Sequence, residues 1–180
     1  MQPACLKYAT APGLKMLMEL LQKLSKSKLY KPIRCRFFVD DTATLERTAI
    51  EYGVRDLISI SGWISPSELW KNTRSAHLLL VPDPGVAENY PLISTKTFQL
   101  AYSGRQILCL SKYPNIEMQE FLDKYDAGIV ATNIDKAVEW ASERSFEKSQ
   151  YEGLPALRDI KQREQLATEL GNEIEKIYVP

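Results

Sequence analysis

The segment Glu88-Asn89-Tyr90-Pro91-Leu92-Ile93-Ser94-Thr95-Lys96-Thr97-Phe98 brings a carboxylate, two adjacent hydroxyls and an ammonium to a point where a loop turns into a helix. The free N–H groups of a first helical turn, the positive end of its dipole, Ser94, Thr95 and Lys96 would together stabilise a diphosphate without a metal ion. The plainer alternative is a capped surface helix with a solvated lysine. A second group, Gly62-Trp63-Ile64, follows a short apolar run. Trp63 is read as a packing aromatic that buries roughly 150–250 Å², with a platform for a nucleobase as the alternative. Asp40 and Asp41 close another apolar run and are read as helix caps rather than acids.

Several chemistries are excluded by what the chain lacks. His77 is its single histidine, so neither a histidine-rich zinc site nor a triad with a histidine base besides this one can be assembled. His77 opens an apolar strand and reads as structural, and no metal is expected. Three cysteines, Cys5, Cys35 and Cys109, are too few and too scattered for a disulfide framework, which points to a reducing, cytoplasmic compartment. Twenty-three Lys and Arg balance twenty-three Asp and Glu, so no broad field holds nucleic acid or an anionic membrane, and any anion must be gripped locally. No apolar run approaches the ~18 residues of a transmembrane segment. With 44% hydrophobic and 26% charged residues the chain has enough apolar side chains to fold.

The elements that must position these groups alternate regularly. Leu14, Leu17, Leu21 and Leu24 make an apolar stripe over a helix at about 12–27, and Ile33 to Val39 reads as a strand. A helix at about 43–52 stops at Gly53. The strand Leu57-Ile58-Ser59-Ile60 leads to Ser65-Pro66-Ser67-Glu68, a capping box with proline in the first turn. His77-Leu78-Leu79-Leu80-Val81 is a continuous apolar run, as expected of a strand buried on both faces. The long loop from Pro82 to Ile93 then leads to a helix from Ser94 that closes at Gly104. A strand at 107–110, a helix capped by Asn115, a strand at 127–131, a helix after Thr132-Asn133 and a terminal helix at about 155–178 complete the chain. In the last of these Leu166, Leu170, Ile174 and Ile177 are in step.

This alternation predicts an α/β fold, a single Rossmann-like domain over 1–180 built on an open parallel sheet of about six strands with helices on both faces. Ligands of such sheets bind beyond the carboxyl ends of the strands. The Gly62 and Ser94 groups both follow strands at that end.

At these residues the chain resembles a family. Ser61-Gly62-Trp63-Ile64-Ser65-Pro66-Ser67-Glu68-Leu69, Ser75-Ala76-His77-Leu78-Leu79-Leu80-Val81-Pro82 and Lys96-Thr97-Phe98-Gln99-Leu100-Ala101-Tyr102-Ser103-Gly104-Arg105-Gln106-Ile107-Leu108 resemble the carboxyl-terminal half of family-4-like glycosyltransferases with the GT-B fold. The resemblance spans roughly 12–142 and lies in the order and spacing of these segments rather than in one motif.

The resemblance implies a donor half that grips a nucleotide-sugar, and a separate amino-terminal half, or another subunit, that carries the acceptor. Gly62, Trp63 and Ile64 would lie beside the nucleobase, and Ser94, Thr95 and Lys96 beside the diphosphate. The candidate catalytic positions are Glu88, whose carboxylate could meet the sugar, and Gln99, which stands where the family has a glutamate that contacts the ribose. A glutamine keeps the hydrogen bond and loses the charge. Gln106 replaces a proline of the family pattern, and no Arg and Lys pair follows the start of the chain. With length for one such half, the 180 residues are not expected to turn over alone. Two other functions stay open: a degenerate nucleotide-binding or interaction domain, and, more remotely, a receiver-like signalling domain with Asp40-Asp41 in its acidic pocket.

Overall fold

The computed structural model describes residues 12–27, 33–82, 93 and 95–143. The chain begins there with α1 (Pro12–Lys26), which has proline where a first turn lacks N–H acceptors anyway. Its leucine stripe is buried as the spacing predicts: Leu14, Leu17, Leu21 and Leu24, joined by Met18 and Leu20, face the interior. Strand β1 (Cys35–Phe38) follows, then α2 (Thr42–Glu51), capped by Asp41, whose carboxylate accepts the Thr44 amide at 3.0 Å. Gly53, in the left-handed region at φ 65°, ends that helix. After a short 3-10 turn come β2 (Ile58–Ser61) and α3 (Pro66–Ser75).

The second half repeats the pattern with β3 (Leu78–Pro82), α4 (Thr95–Tyr102), β4 (Gln106–Leu110), α5 (Ile116–Lys124), β5 (Gly128–Ala131) and α6 (Ile134–Glu143). All strand pairs are parallel. β1 pairs with β2, Cys35 opposite Ile58, in one sheet. β3, β4 and β5 pair in that order in another, with Leu78 opposite Gln106 and Ile107 opposite Gly128.

Strand β4 organises the interior, because all five of its residues are buried. Leu108 and Leu110 point into a core built with α1, α6, Phe37 and Val39. Ile107 and Cys109 point the other way, against Ala101 of α4 and Met118 and Leu122 of α5. Helices therefore cover both faces of this strand, and its alternating side chains follow from the two-residue period. The first core also takes in Ile58 of β2, so both sheets share one interior.

The parallel α/β arrangement stands as expected, with five strands among the described residues; the apolar start at 1–10, residues 83–92 and the terminal segment at 155–178 lie outside them. One expectation is corrected. Strand β3 is less buried than expected: Leu79 is buried on the α4–α5 side with Val81 half-buried beside it, and Leu78 and Leu80 are half-buried against the first core, so both faces are covered only in part, whereas β4 is covered completely.

Candidate functional site

The backbone that carries Gly62, Trp63 and Ile64 is pinned on both sides. Before it, the Val39 amide donates to the Ser61 carbonyl at 3.0 Å and prolongs the β1–β2 pairing. After it, the expected capping box is complete: the Glu68 amide donates to Ser65 Oγ at 3.2 Å, and the Ser65 amide donates to Glu68 Oε2 at 3.2 Å. The Ser65 hydroxyl, which donates to the same carboxylate at 2.9 Å, and the Ser65 amide hold the Glu68 carboxyl below its ordinary range. Between these anchors Trp63 is 63% exposed. The packing role expected of this ring is therefore not what it performs. Gly62 is exposed, and an added Cβ there would meet nothing within 4 Å. Ile64 is half-buried. A flat, mostly solvent-facing indole on a fixed backbone, next to a residue with no side chain, is able to stack with a planar ligand.

The second group sits on α4. Thr97 and Ala101, one turn apart, are completely buried and fix the inward face of the helix. Lys96 and Gln99, three residues apart and hence on one flank, are exposed. Thr95 is the first residue of the helix. Glu88 and Ser94 lie outside the described residues. The structure thus places one candidate group after β2 and the other on the helix that follows β3.

Asp40 and Asp41 show the opposite outcome to Trp63. Asp41 is the cap of α2, as read, and its carboxyl is held below the ordinary range first by the Thr44 side chain and then by the Thr44 amide. His77 is exposed just ahead of β3. Among the described residues no three His, Cys, Asp or Glu gather as a metal site would require. Arg105 lies ahead of β4 and donates from Nε to the Arg74 carbonyl at 2.9 Å, joining strand to helix at the end away from the candidate groups.

One cation escaped the sequence reading. Lys112, exposed after the carboxyl end of β4, lies 5.0 Å from the Tyr113 ring centroid. Ser111 shapes that turn by donating to the Tyr113 carbonyl at 2.7 Å, and Asn115 caps α5 by accepting the Met118 amide at 3.0 Å. The signal was the run Ser111-Lys112-Tyr113-Pro114-Asn115 directly after an apolar strand, where a turn must carry the chain over the sheet end.

Comparison of the chain with protein-family models, with curated proteins and with solved structures gives no match. Among the described residues no helix is long and apolar enough to cross a membrane.

Proposed function

We propose that this chain is the donor-binding half of a GT-B-type glycosyltransferase, which holds a nucleotide diphosphate-sugar for transfer to an acceptor carried by an amino-terminal half or another subunit. The observation that carries this reading is Trp63, 63% exposed beside an unobstructed Gly62. A core tryptophan would be buried; one left open at a strand end, on a backbone fixed by a capping box, suits a base platform. Lys96, exposed in the first turn of α4, supplies the positive charge that a diphosphate needs at the positive end of the helix dipole.

In transfer, the bond from the anomeric carbon to the diphosphate oxygen breaks, a bond to the acceptor nucleophile forms, and the acceptor's proton passes to a base. Negative charge then builds on the leaving diphosphate. The positive end of the α4 dipole, Thr95 and Lys96 stabilise that charge, a role that requires no metal. Gln99, on the same flank as Lys96, donates or accepts a neutral hydrogen bond to a sugar hydroxyl. Glu88 supplies a carboxylate toward the sugar.

The finer architecture belongs to the same proposal. The two sheets are parts of one Rossmann-like open sheet of about six strands. Three observations support this: all pairs are parallel, both sheets line one interior, and α1 packs on β3 and β4 although it leads in sequence to β1. Cys35 and Cys109, both thiols outside any disulfide, support a reducing, cytoplasmic setting.

A second reading, nucleotide binding without transfer, is supported by the uncharged Gln99. The receiver-like reading loses support, because Asp41 is engaged as a helix cap. Titration with UDP-, GDP- and ADP-sugars in the presence of a chelator tests the proposal. One of them should raise the unfolding midpoint, with about 2.7 kcal/mol of added stability at a hundredfold excess over Kd. No shift with any of them rejects donor binding. Binding without transfer, after an acceptor half is supplied, selects the second reading.

A further inference from the structure

Strand β5 ends its sheet among the described residues, and Gly128, Ile129, Val130 and Ala131 give it no charge of its own. An apolar outer strand offers its backbone groups to any further strand that approaches. Which groups face outward follows from the pairing with β4. The Ala127 and Ala131 carbonyls accept the Ile107 amide at 2.8 Å and the Ser111 amide at 3.1 Å, so Ala127 and Ala131 turn their backbone groups toward β4. Val130, one residue before Ala131, turns its own the other way.

That outward amide is already engaged by a side chain. Gln119 reaches from α5 and accepts it with Oε1 at 2.8 Å, the place that the carbonyl of a further strand would take. Asp123, one turn along α5, accepts from Gln119 Nε2 at 2.7 Å. With an N–H donor on one side and a carboxylate on the other, only one orientation of the Gln119 amide satisfies both, so Asp123 sets which end meets the strand.

The other sheet is closed in a similar way. The Val39 amide donates to the Ser61 carbonyl, so Ser61 faces β1 and Ile58, three residues earlier, faces away from it. Arg55 Nη1 donates to the Ile58 carbonyl at 3.1 Å, and the Ile58 amide donates to the Arg55 carbonyl. The Arg55 guanidinium is held in turn by Glu46. At Ile58 the backbone of the 3-10 turn does half of the closing, whereas the Val130 amide depends on one side chain.

We propose that Gln119, oriented by Asp123, is a plug that keeps β5 from pairing with the β5 of a second copy of this chain. A second copy is the partner excluded, because two antiparallel β5 strands related by a two-fold axis would set Val130 opposite Val130, where each residue donates its amide to the other's carbonyl. The Gln119 side chain takes one partner of that exchange away. The proposal is independent of nucleotide binding.

Sedimentation velocity on the full chain at about 10 µM and about 500 µM, concentrations that bracket weak association, tests it together with hydrogen exchange. Wild type should remain monomeric, and its Val130 amide should exchange at least about tenfold more slowly than an unstructured one. Gln119→Ala, which suits a helix interior, should shift toward dimer at the higher concentration, with β4 still protected and the Val130 amide protected only in the dimer. Gln119→Glu combined with Asp123→Asn keeps an acceptor for Val130 and reverses the second bond, and should sediment as wild type does. The proposal is overturned if Gln119→Ala sediments as wild type, if the double variant associates as strongly as Gln119→Ala, or if the dimer leaves Val130 unprotected. Free exchange of the Val130 amide in wild type overturns it without recourse to any variant.

Discussion

Gly128 lies so close to Ile107 across the β4–β5 pairing that a Cβ built on it would stand 1.8 Å from the Ile107 carbonyl oxygen. Its φ of 148° adds backbone strain for any other residue. Gly128→Ala should therefore lower stability by about 2–3 kcal/mol, the upper range for overpacking. Gly53→Ala provides the contrast: φ is 65°, but an added Cβ meets nothing within 4 Å, so only the left-handed backbone is penalised, at about 1–2 kcal/mol. Urea unfolding with unchanged m measures both. A smaller loss at Gly128 than at Gly53 would contradict the close approach.

Gln106 reaches from the start of β4 to donate from Nε2 to the Asp126 carbonyl at 2.7 Å, and is itself buried. Gln106→Leu leaves that carbonyl without this donor and should cost about 1–3 kcal/mol. Nucleotide affinity of the folded variant should be unchanged, since this end of β4 is remote from the strand ends that carry Gly62 and Ser111. A large change in affinity at matched stability would place Gln106 in the site instead.

Acid should weaken the fold through two helix caps. The carboxyls of Asp41 and Glu68 lie below their ordinary values of 3.8 and 4.5, held there by Thr44 and Ser65 respectively. A carboxyl depressed in the folded state stabilises it above its unfolded value and loses that contribution as pH falls through the folded value. Stability should hold above about pH 5 and decline below it, and Asp41→Asn with Glu68→Gln should flatten the decline between about pH 5 and pH 3. Unfolding midpoints across that range decide the matter; parallel curves for wild type and double variant would deny the caps any titrating role.

Trp63→Ala and Lys96→Ala separate the two halves of the proposed donor site. Loss of a stacking platform is worth about 1–3 kcal/mol, a weakening of roughly 5- to 150-fold for every base-bearing ligand. Loss of Lys96 should weaken nucleotide diphosphates by about tenfold or more and leave nucleosides untouched, because a bond to a charged phosphate oxygen is worth about 1.5–3 kcal/mol. Neither change should unfold the chain, since both residues are exposed. Calorimetric titration of a nucleoside and its diphosphate against each variant reads the pattern; equal losses for both ligands in Lys96→Ala would remove that residue from the diphosphate.

Features set by a few neighbouring residues were legible in the sequence. The Ser65–Glu68 capping box, the Asp41 and Asn115 caps and the stop at Gly53 all stand where they were read. Each is a local contest between a side chain and the next few amides. The leucine stripe of α1 was legible for the same reason. What escaped depends on tertiary packing. Leu78, Leu80 and Val81 read as fully buried because an apolar run signals a central strand, yet they are half-buried, since how closely helices cover each face is decided by residues far away in sequence. Trp63 follows the same rule: its large apolar ring favours burial, and no neighbour in the chain reveals that it stays mostly exposed. Of the candidate site, Gly62, Trp63, Lys96 and Gln99 are found exposed at strand ends or on a helix flank, while Glu88 and Ser94 stand outside the described residues.

The burial of β4 on both faces turns Cys109 into a built-in clock. Its side chain is wholly enclosed, and Cys35, whose thiol is pushed up to about 12 by burial, is scarcely ionised at neutral pH. A thiol reagent can therefore modify Cys109 only when α4 and α5 separate from the strand beneath them. The rate of its labelling counts openings of that layer rather than fraying at a margin, and a bound ligand that slows it does so by restraining the helices that carry Lys96 and Gln99.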